Sequence, residues 1–254
     1  MSHLRALIFD VDGTLADTER DGHRVAFNRA FADAGLDWDW SIELYGDLLQ
    51  VTGGKERMQF YLDKYRPDWE RPAHLKELIA ELHKAKTKHY TQLLAEGAIP
   101  LRPGVQRLLE EAREQGFRLA IATTTTPANV TALLENTLPS GALSWFEVIA
   151  AGDVVPAKKP APDIYIYALE QMGLTPEACI AFEDSYNGLV SANKAALKTV
   201  ITINDYTHDH DFSGASIVLN HLGEPNLPFT VLQGEAAMTS YVDMAFVQRL
   251  HSQS

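Results

Sequence analysis

A single cysteine in 254 residues, Cys179, has no partner for an intramolecular disulfide and fits a reducing compartment. It lies in an apolar run, as expected of a buried, inert thiol rather than a nucleophile. Basic residues are scarce: 22 Lys and Arg against 34 Asp and Glu give a formal net charge of −12. That excludes the basic footprint needed for nucleic acid or an anionic membrane surface, although locally gathered positive charge could still bind a phosphate. No segment approaches the roughly 20 apolar residues of a membrane-spanning helix. The N-terminal residues run straight into a strand-like segment without the apolar stretch of a secretion signal, so a cytoplasmic protein is expected. Internal repeats and low-complexity linkers are also missing. What is present, 46% hydrophobic and 22% charged residues, can bury a full core. The length suits one large α/β domain or a core with an inserted unit.

Short apolar runs at 4–9, 117–122, 148–151, 179–182 and 199–203 read as strands buried on both faces. Helical patterns alternate with them: 105–115 stops at Gly116, Pro127 opens another, 164–172 ends at Gly173, and 187–196 supplies a fourth. The alternation predicts an α/β fold, a doubly wound parallel sheet of Rossmann-like type. From about 18 to 96 the rhythm fails, with helical periodicity over 20–34, 41–50, 55–65 and 72–95 and no buried strand. A helical unit inserted after the first strand is expected, above the strand ends where open α/β sheets place ligands. The expected division is a core of 1–17 and 97–225, a helical cap of 18–96, and a C-terminal extension of 226–254 with a weak helix at 236–250.

The most informative segment is Asp10-Val11-Asp12-Gly13-Thr14-Leu15, directly after the first strand. Two carboxylates placed close together in a buried setting cost several kcal/mol unless a cation or hydrogen bonds compensate, and a divalent metal is the simplest compensation. Asp10, relieved of its repulsion by Mg²⁺, can attack phosphorus and form an aspartyl-phosphate. Asp12 can protonate the leaving oxygen and then take a proton from the hydrolytic water. Gly13 permits a sharp turn, and Thr14 can orient a carboxylate or bind a phosphate oxygen. Three further signals fall at later strand ends. Thr123 to Thr126 can cradle a phosphate or simply cap a helix. Lys159, before Pro160, can neutralise charge or remain a solvated loop lysine. Glu183-Asp184-Ser185 can complete a metal site or supply acids to a helix N-terminus.

Together these residues resemble the haloacid dehalogenase superfamily, in the order and spacing of its four motifs. The resemblance implies Asp10 as nucleophile, Asp12 as acid/base, Thr123 as phosphate-binding hydroxyl and Lys159 as charge-neutralising lysine. It further implies Mg²⁺ held by the carboxylates of Asp10 and Asp184 and the backbone carbonyl of Asp12, with Glu183 beside or beyond the residues that touch the ion. An acid at position 12 favours phosphate ester chemistry over that of the dehalogenases and phosphonate-cleaving relatives, which lack it.

Within the cap, Gly53 and Gly54 permit close backbone approach, and Lys55 and Arg57 bring positive charge to the same turn; an ordinary helix-breaking turn would look alike. Ile79, His83, Lys86 and Tyr90 share one helical stripe, where Lys86 either lines an anion site or snorkels from the edge. Glu19 could accept sugar hydroxyls or serve as a first-turn acid. The cap resembles that of the CbbY-type phosphatases, which hydrolyse xylulose-1,5-bisphosphate, an inhibitory by-product of Rubisco. By that resemblance Glu19, Thr52, Gly53, Gly54, Lys55, Arg57, His83, Lys86, Thr124, Thr125 and Asn129 bind the sugar and its second phosphate. The expected activity is that of a monomeric Mg²⁺-dependent sugar-bisphosphate phosphatase. A β-phosphoglucomutase-like mutase, with the same core residues, is the alternative, and a non-catalytic binding protein the third.

Overall fold

The computed structural model describes residues 3–51, 53–236 and 239–253. Strand β1 (Ala6–Phe9) has every residue buried, as expected of a run flanked by partners on both edges and helices on both faces. By contacts the chain separates into two units, one of Met1–Asp17 with Pro100–Ser254 and one of Thr18–Ile99.

The helical unit starts with a wide, π-type turn over Thr18–His23 that runs into α1 (Arg24–Asp33). α2 (Ile42–Leu48), α3 (Gly54–Tyr65) and α4 (Leu75–Ala95) follow. Its centre is aromatic: Phe27, Phe31, Trp40 and Tyr45 are buried, with the Phe27 and Trp40 rings 4.7 Å apart and Phe31 edge-on to Trp40 at 4.9 Å. Large rigid rings bury much apolar area at little rotamer cost, which suits a small unit. Gly53, at φ 97°, lets the chain turn into α3, and a Cβ on Gly54 would overlap the His83 ring.

In the other unit, α5 (Val105–Glu114) leads to β2 (Arg118–Thr123), α6 (Pro127–Thr137) to β3 (Phe146–Ala151), and α7 (Asp163–Met172) to β4 (Cys179–Glu183). α8 (Tyr186–Lys194) and β5 (Lys198–Thr202) come next, followed by β6 (Ile217–Leu219), β7 (Val231–Gln233) and α9 (Met244–Ser252). The sheet order is β3-β2-β1-β4-β5-β6-β7, parallel except for β7. One face of the sheet packs Ile8, Ala120 and Ala181 against Ile164, Tyr165 and Ala168 of α7. The alternate residues Leu7, Phe9, Ile121 and Phe182 are buried as well, so the centre of the sheet is covered on both sides.

The sequence shows no strand after 203, because β6 is only three residues long and β7 is an exposed edge. The tail helix begins at Met244 rather than 236, where Asp243 Oδ1 accepts the Phe246 N–H at 2.6 Å and caps it. The segment from 226 belongs to the same unit as the sheet. Arg107 of α5 fastens the tail, donating to the carbonyls of Gly223 at 2.8 Å and Val242 at 2.9 Å.

Candidate active site

The register of the sheet assembles the site. Phe9 pairs with Ile121 of β2 and with Phe182 of β4, so the next residues of the three strands emerge side by side. The Asp10 N–H donates to the Phe182 carbonyl at 3.0 Å and continues the ladder. Asp10, Thr123, Glu183 and Asp184 therefore share one end of the sheet, at the switch point where the chain turns from one side of β1 to the other. All four are buried.

Lys159 approaches from the segment before α7. Its ammonium donates to Asp10 Oδ1 at 2.6 Å and to Glu183 Oε1 at 2.5 Å. The buried Tyr165 hydroxyl donates to the same Glu183 oxygen at 2.6 Å. Burial opposes the ammonium charge, but the carboxylates of Asp10 and Glu183 overcome it and hold Lys159 above its usual range. Burial pushes Asp184 well above the usual carboxylate range, and the charges of Asp10 and Glu183 add to the shift. Glu183 is raised for the same reasons, with Lys159 working against them.

Ligand oxygens of Asp10, Glu183 and Asp184 lie within 4.8 Å of one another. Three carboxylates facing one ammonium leave uncompensated negative charge, and their hard oxygen donors suit Mg²⁺. Asp12 enters the expected metal set through its backbone carbonyl, and its half-buried side chain is outside this cluster. Gly13, at φ 83°, makes the turn that follows, and a Cβ there would overlap the Asp184 carboxylate. The Thr14 hydroxyl is buried without a hydrogen-bond partner among the described residues.

Thr123 Oγ1 accepts the Thr125 N–H at 3.3 Å, Thr124 is exposed, and Asn129 Nδ2 donates to Thr125 Oγ1 at 3.4 Å. Thr126 caps α6 by accepting the Asn129 N–H, so the threonine run does cap a helix. Cys179 is buried with its thiol pushed up to about 11 by burial, which makes it inert at neutral pH.

A second charged cluster belongs to the helical unit. Arg57, buried, donates to the Tyr45 hydroxyl at 2.7 Å, and that hydroxyl donates to Glu19 at 2.6 Å. Arg57 Nε is buried with no hydrogen-bond partner among the described residues. Lys86 is also buried, with its ammonium 2.7 Å from His23 Nδ1 and 5.1 Å from the ring centres of Phe27 and Tyr90. An ammonium only donates, so His23 Nδ1 accepts and the ring carries its proton on Nε2. Burial, reinforced by Lys86 and Arg57 against the pull of Glu19, lowers His23 to about 4. Burial would raise Glu19, but His23, Arg57, the Tyr45 hydroxyl and Lys86 outweigh it and hold the carboxyl below its usual range. His83 is half-buried and Lys55 exposed. Thr52 lies outside the described residues.

The family model for haloacid dehalogenase-like hydrolases matches residues 4–196. The chain belongs to that family and is a phosphatase within it. Protein CbbY of Rhodobacter capsulatus is 55% identical over 212 residues, spanning 84% of this chain and 91% of the relative. The crystal structure of CbbY from Rhodobacter sphaeroides in complex with phosphate is 47% identical, with a TM-score of 0.71 over 86% of this chain and 94% of that one. A mutant of that CbbY in complex with Xylulose-(1,5)bisphosphate is 46% identical with the same TM-score and coverage.

Sequence reasoning missed Tyr45 and His23, whose partners come from other helices, and Tyr165, which reads as an ordinary core residue of α7. The Lys159–Glu183 contact was missed as well, since neither residue's spacing announces the other.

Proposed function

We propose that the chain hydrolyses a phosphorylated sugar through an aspartyl-phosphate on Asp10, with Mg²⁺ as cofactor, and that the sugar is xylulose-1,5-bisphosphate. The observation that carries the reading is the buried Asp10 carboxylate, held by Lys159 at 2.6 Å and near enough to Asp184 to share a cation.

Lys159 fixes the orientation of the nucleophile and offsets charge as a phosphate dianion arrives. An oxygen of Asp10 bonds to phosphorus as the bond from phosphorus to the sugar oxygen breaks, and Asp12 gives its proton to that departing oxygen. Asp12, now a carboxylate, takes a proton from water, whose oxygen attacks phosphorus and releases Asp10 and inorganic phosphate. Asp10, Asp184 and the Asp12 carbonyl would hold Mg²⁺, which supplies neutralising charge for the phosphoryl oxygens and carboxylates. The hydroxyls of Thr123 and Thr14 are suited to phosphate oxygens, the latter because it is buried with no hydrogen-bond partner among the described residues.

The sugar assignment is supported by the buried cations Arg57 and Lys86 beside Glu19 in the helical unit and by the ligand named for the CbbY complex. Arg57 and Lys86 would bind a second phosphate, and Glu19 would accept sugar hydroxyls. Lys55, His83, Gly53 and Gly54 would contribute to that binding within the helical unit, and Thr52, Thr124, Thr125 and Asn129 are kept as substrate-binding residues on the sequence resemblance alone. A role in clearing a Rubisco by-product belongs to this proposal.

Phosphate release from a panel of ketose and aldose mono- and bisphosphates tests it. Xylulose-1,5-bisphosphate should give the highest kcat/KM. Interconversion of hexose phosphates with almost no free phosphate would instead establish a mutase.

A further inference from the structure

Asp184 is held by a residue outside the four motifs. Asn204, just past the end of β5, donates from Nδ2 to Asp184 Oδ2 at 2.7 Å. The amide cannot be turned over, because its Oδ1 already accepts the Tyr206 N–H at 2.9 Å. The turn that carries it is closed by the Asn204 N–H donating to Thr207 Oγ1 at 3.0 Å, with Thr207 itself buried. A Cβ on Gly13 would overlap both the Asp184 carboxylate and the Asn204 amide nitrogen, so the turn after β1 closes directly over this hydrogen bond.

The strand ends around it are tied by Arg102, which is 8% exposed. Its guanidinium donates to the carbonyls of Gly13 and Ile203, to the Thr202 carbonyl at 3.0 Å and to the Asn220 carbonyl at 2.9 Å. The turn after β1 and the ends of β5 and β6 are thus fastened to one rigid, permanently charged fork. Asn204 is therefore presented to Asp184 from a fixed backbone, and little side-chain entropy is left to lose.

We infer that Asn204 is a positioning residue, which by holding Oδ2 sets the Asp184 carboxylate in the one orientation that presents it to a divalent cation. The inference rests on the metal-site reading proposed above. Hydrogen bonds to ligating carboxylates from such outer groups govern metal affinity by about 10–100-fold.

The test is direct binding of Mn²⁺ to the full chain, followed by electron paramagnetic resonance, in wild type, Asn204→Ala, Asn204→Ser and Asp184→Asn. Serine retains an acceptor for the Tyr206 N–H but no longer reaches Asp184, which protects the test if the alanine variant folds poorly. Both Asn204 variants should bind Mn²⁺ about tenfold or more weakly, with an unchanged melting temperature for serine. The Mg²⁺ concentration for half-maximal turnover should rise in parallel, with a smaller change in kcat at saturating metal. Wild-type Mn²⁺ affinity in the serine variant, while Asp184→Asn loses binding, overturns the inference. Affinity unaffected by Asp184→Asn overturns the metal site itself, a result distinguishable from the first.

Discussion

The carboxylate cluster at the end of the sheet and the charged cluster of the helical unit are unbalanced in opposite senses. In the first, Asp10, Glu183 and Asp184 are offset by the ammonium of Lys159, which pairs with Asp10 and Glu183, and by the charge of Arg102 acting on Asp184. In the second, Glu19 faces Arg57 and Lys86, with His23 driven neutral. Buried charge of one sign is costly alone, so the first cluster calls for a cation and the second for an anion. Two unbalanced clusters of opposite sign in one chain are consistent with the proposed metal-dependent action on a bisphosphate, and neither cluster by itself indicates that substrate.

Several experiments can break or sharpen that contrast. The largest effect is expected from Asp10→Asn, which removes the proposed nucleophile and should lower kcat by about a thousandfold or more with circular dichroism unchanged. Activity within tenfold of wild type would take the aspartyl-phosphate with it. Next is metal removal: EDTA should silence phosphate release and Mg²⁺ restore it, whereas indifference to chelator would refute the need for a cation at the carboxylate cluster.

In the helical unit, Arg57→Ala or Lys86→Ala should raise KM for xylulose-1,5-bisphosphate by about 10–100-fold, the worth of one charge-assisted hydrogen bond. KM for a small aryl phosphate should hardly move, and equal effects on both substrates would remove the second anion site. Lys55→Ala should do less, since that side chain is exposed.

The smallest effect concerns stability. His23 titrates near 4 in the folded chain against an ordinary 6.5. The unfolded chain therefore takes up the proton first, and stability should fall as the pH drops from about 6.5 towards 4. His23→Gln should flatten part of that fall in melting temperature; an identical pH profile in the variant would show that the imidazole is not held neutral.

How much of this could be read in advance differed between the two clusters. The core motifs sit immediately after apolar runs, and a parallel sheet brings its strand ends to one edge, so Asp10, Thr123 and Asp184 could be brought together on paper. The structure adds the contact of Glu183 with Lys159 and Tyr165, which depends on how α7 lies against β4. In the helical unit, the stripe of Ile79, His83, Lys86 and Tyr90 left Lys86 either lining an anion site or snorkelling from the edge, and the structure buries it. Its partner His23 lies 63 residues away in sequence on a wide turn, and helical periodicity carries no information about which helix packs opposite. The two short strands near the C-terminus escaped for a simpler reason: three residues are too few to show a period.

The sequence by itself determined the α/β alternation, the helical insertion and the acidic segment that follows the first strand, because each is encoded in contiguous residues whose spacing matches a local backbone geometry. Only the tertiary structure decided which charges are neighbours, and with that which carboxylate is burdened, which imidazole is kept neutral and which amide steadies Asp184. Those outcomes depend on desolvation and on distances of 2.5 to 2.7 Å between residues far apart in the chain. Electrostatic energies change steeply over such distances once water is excluded.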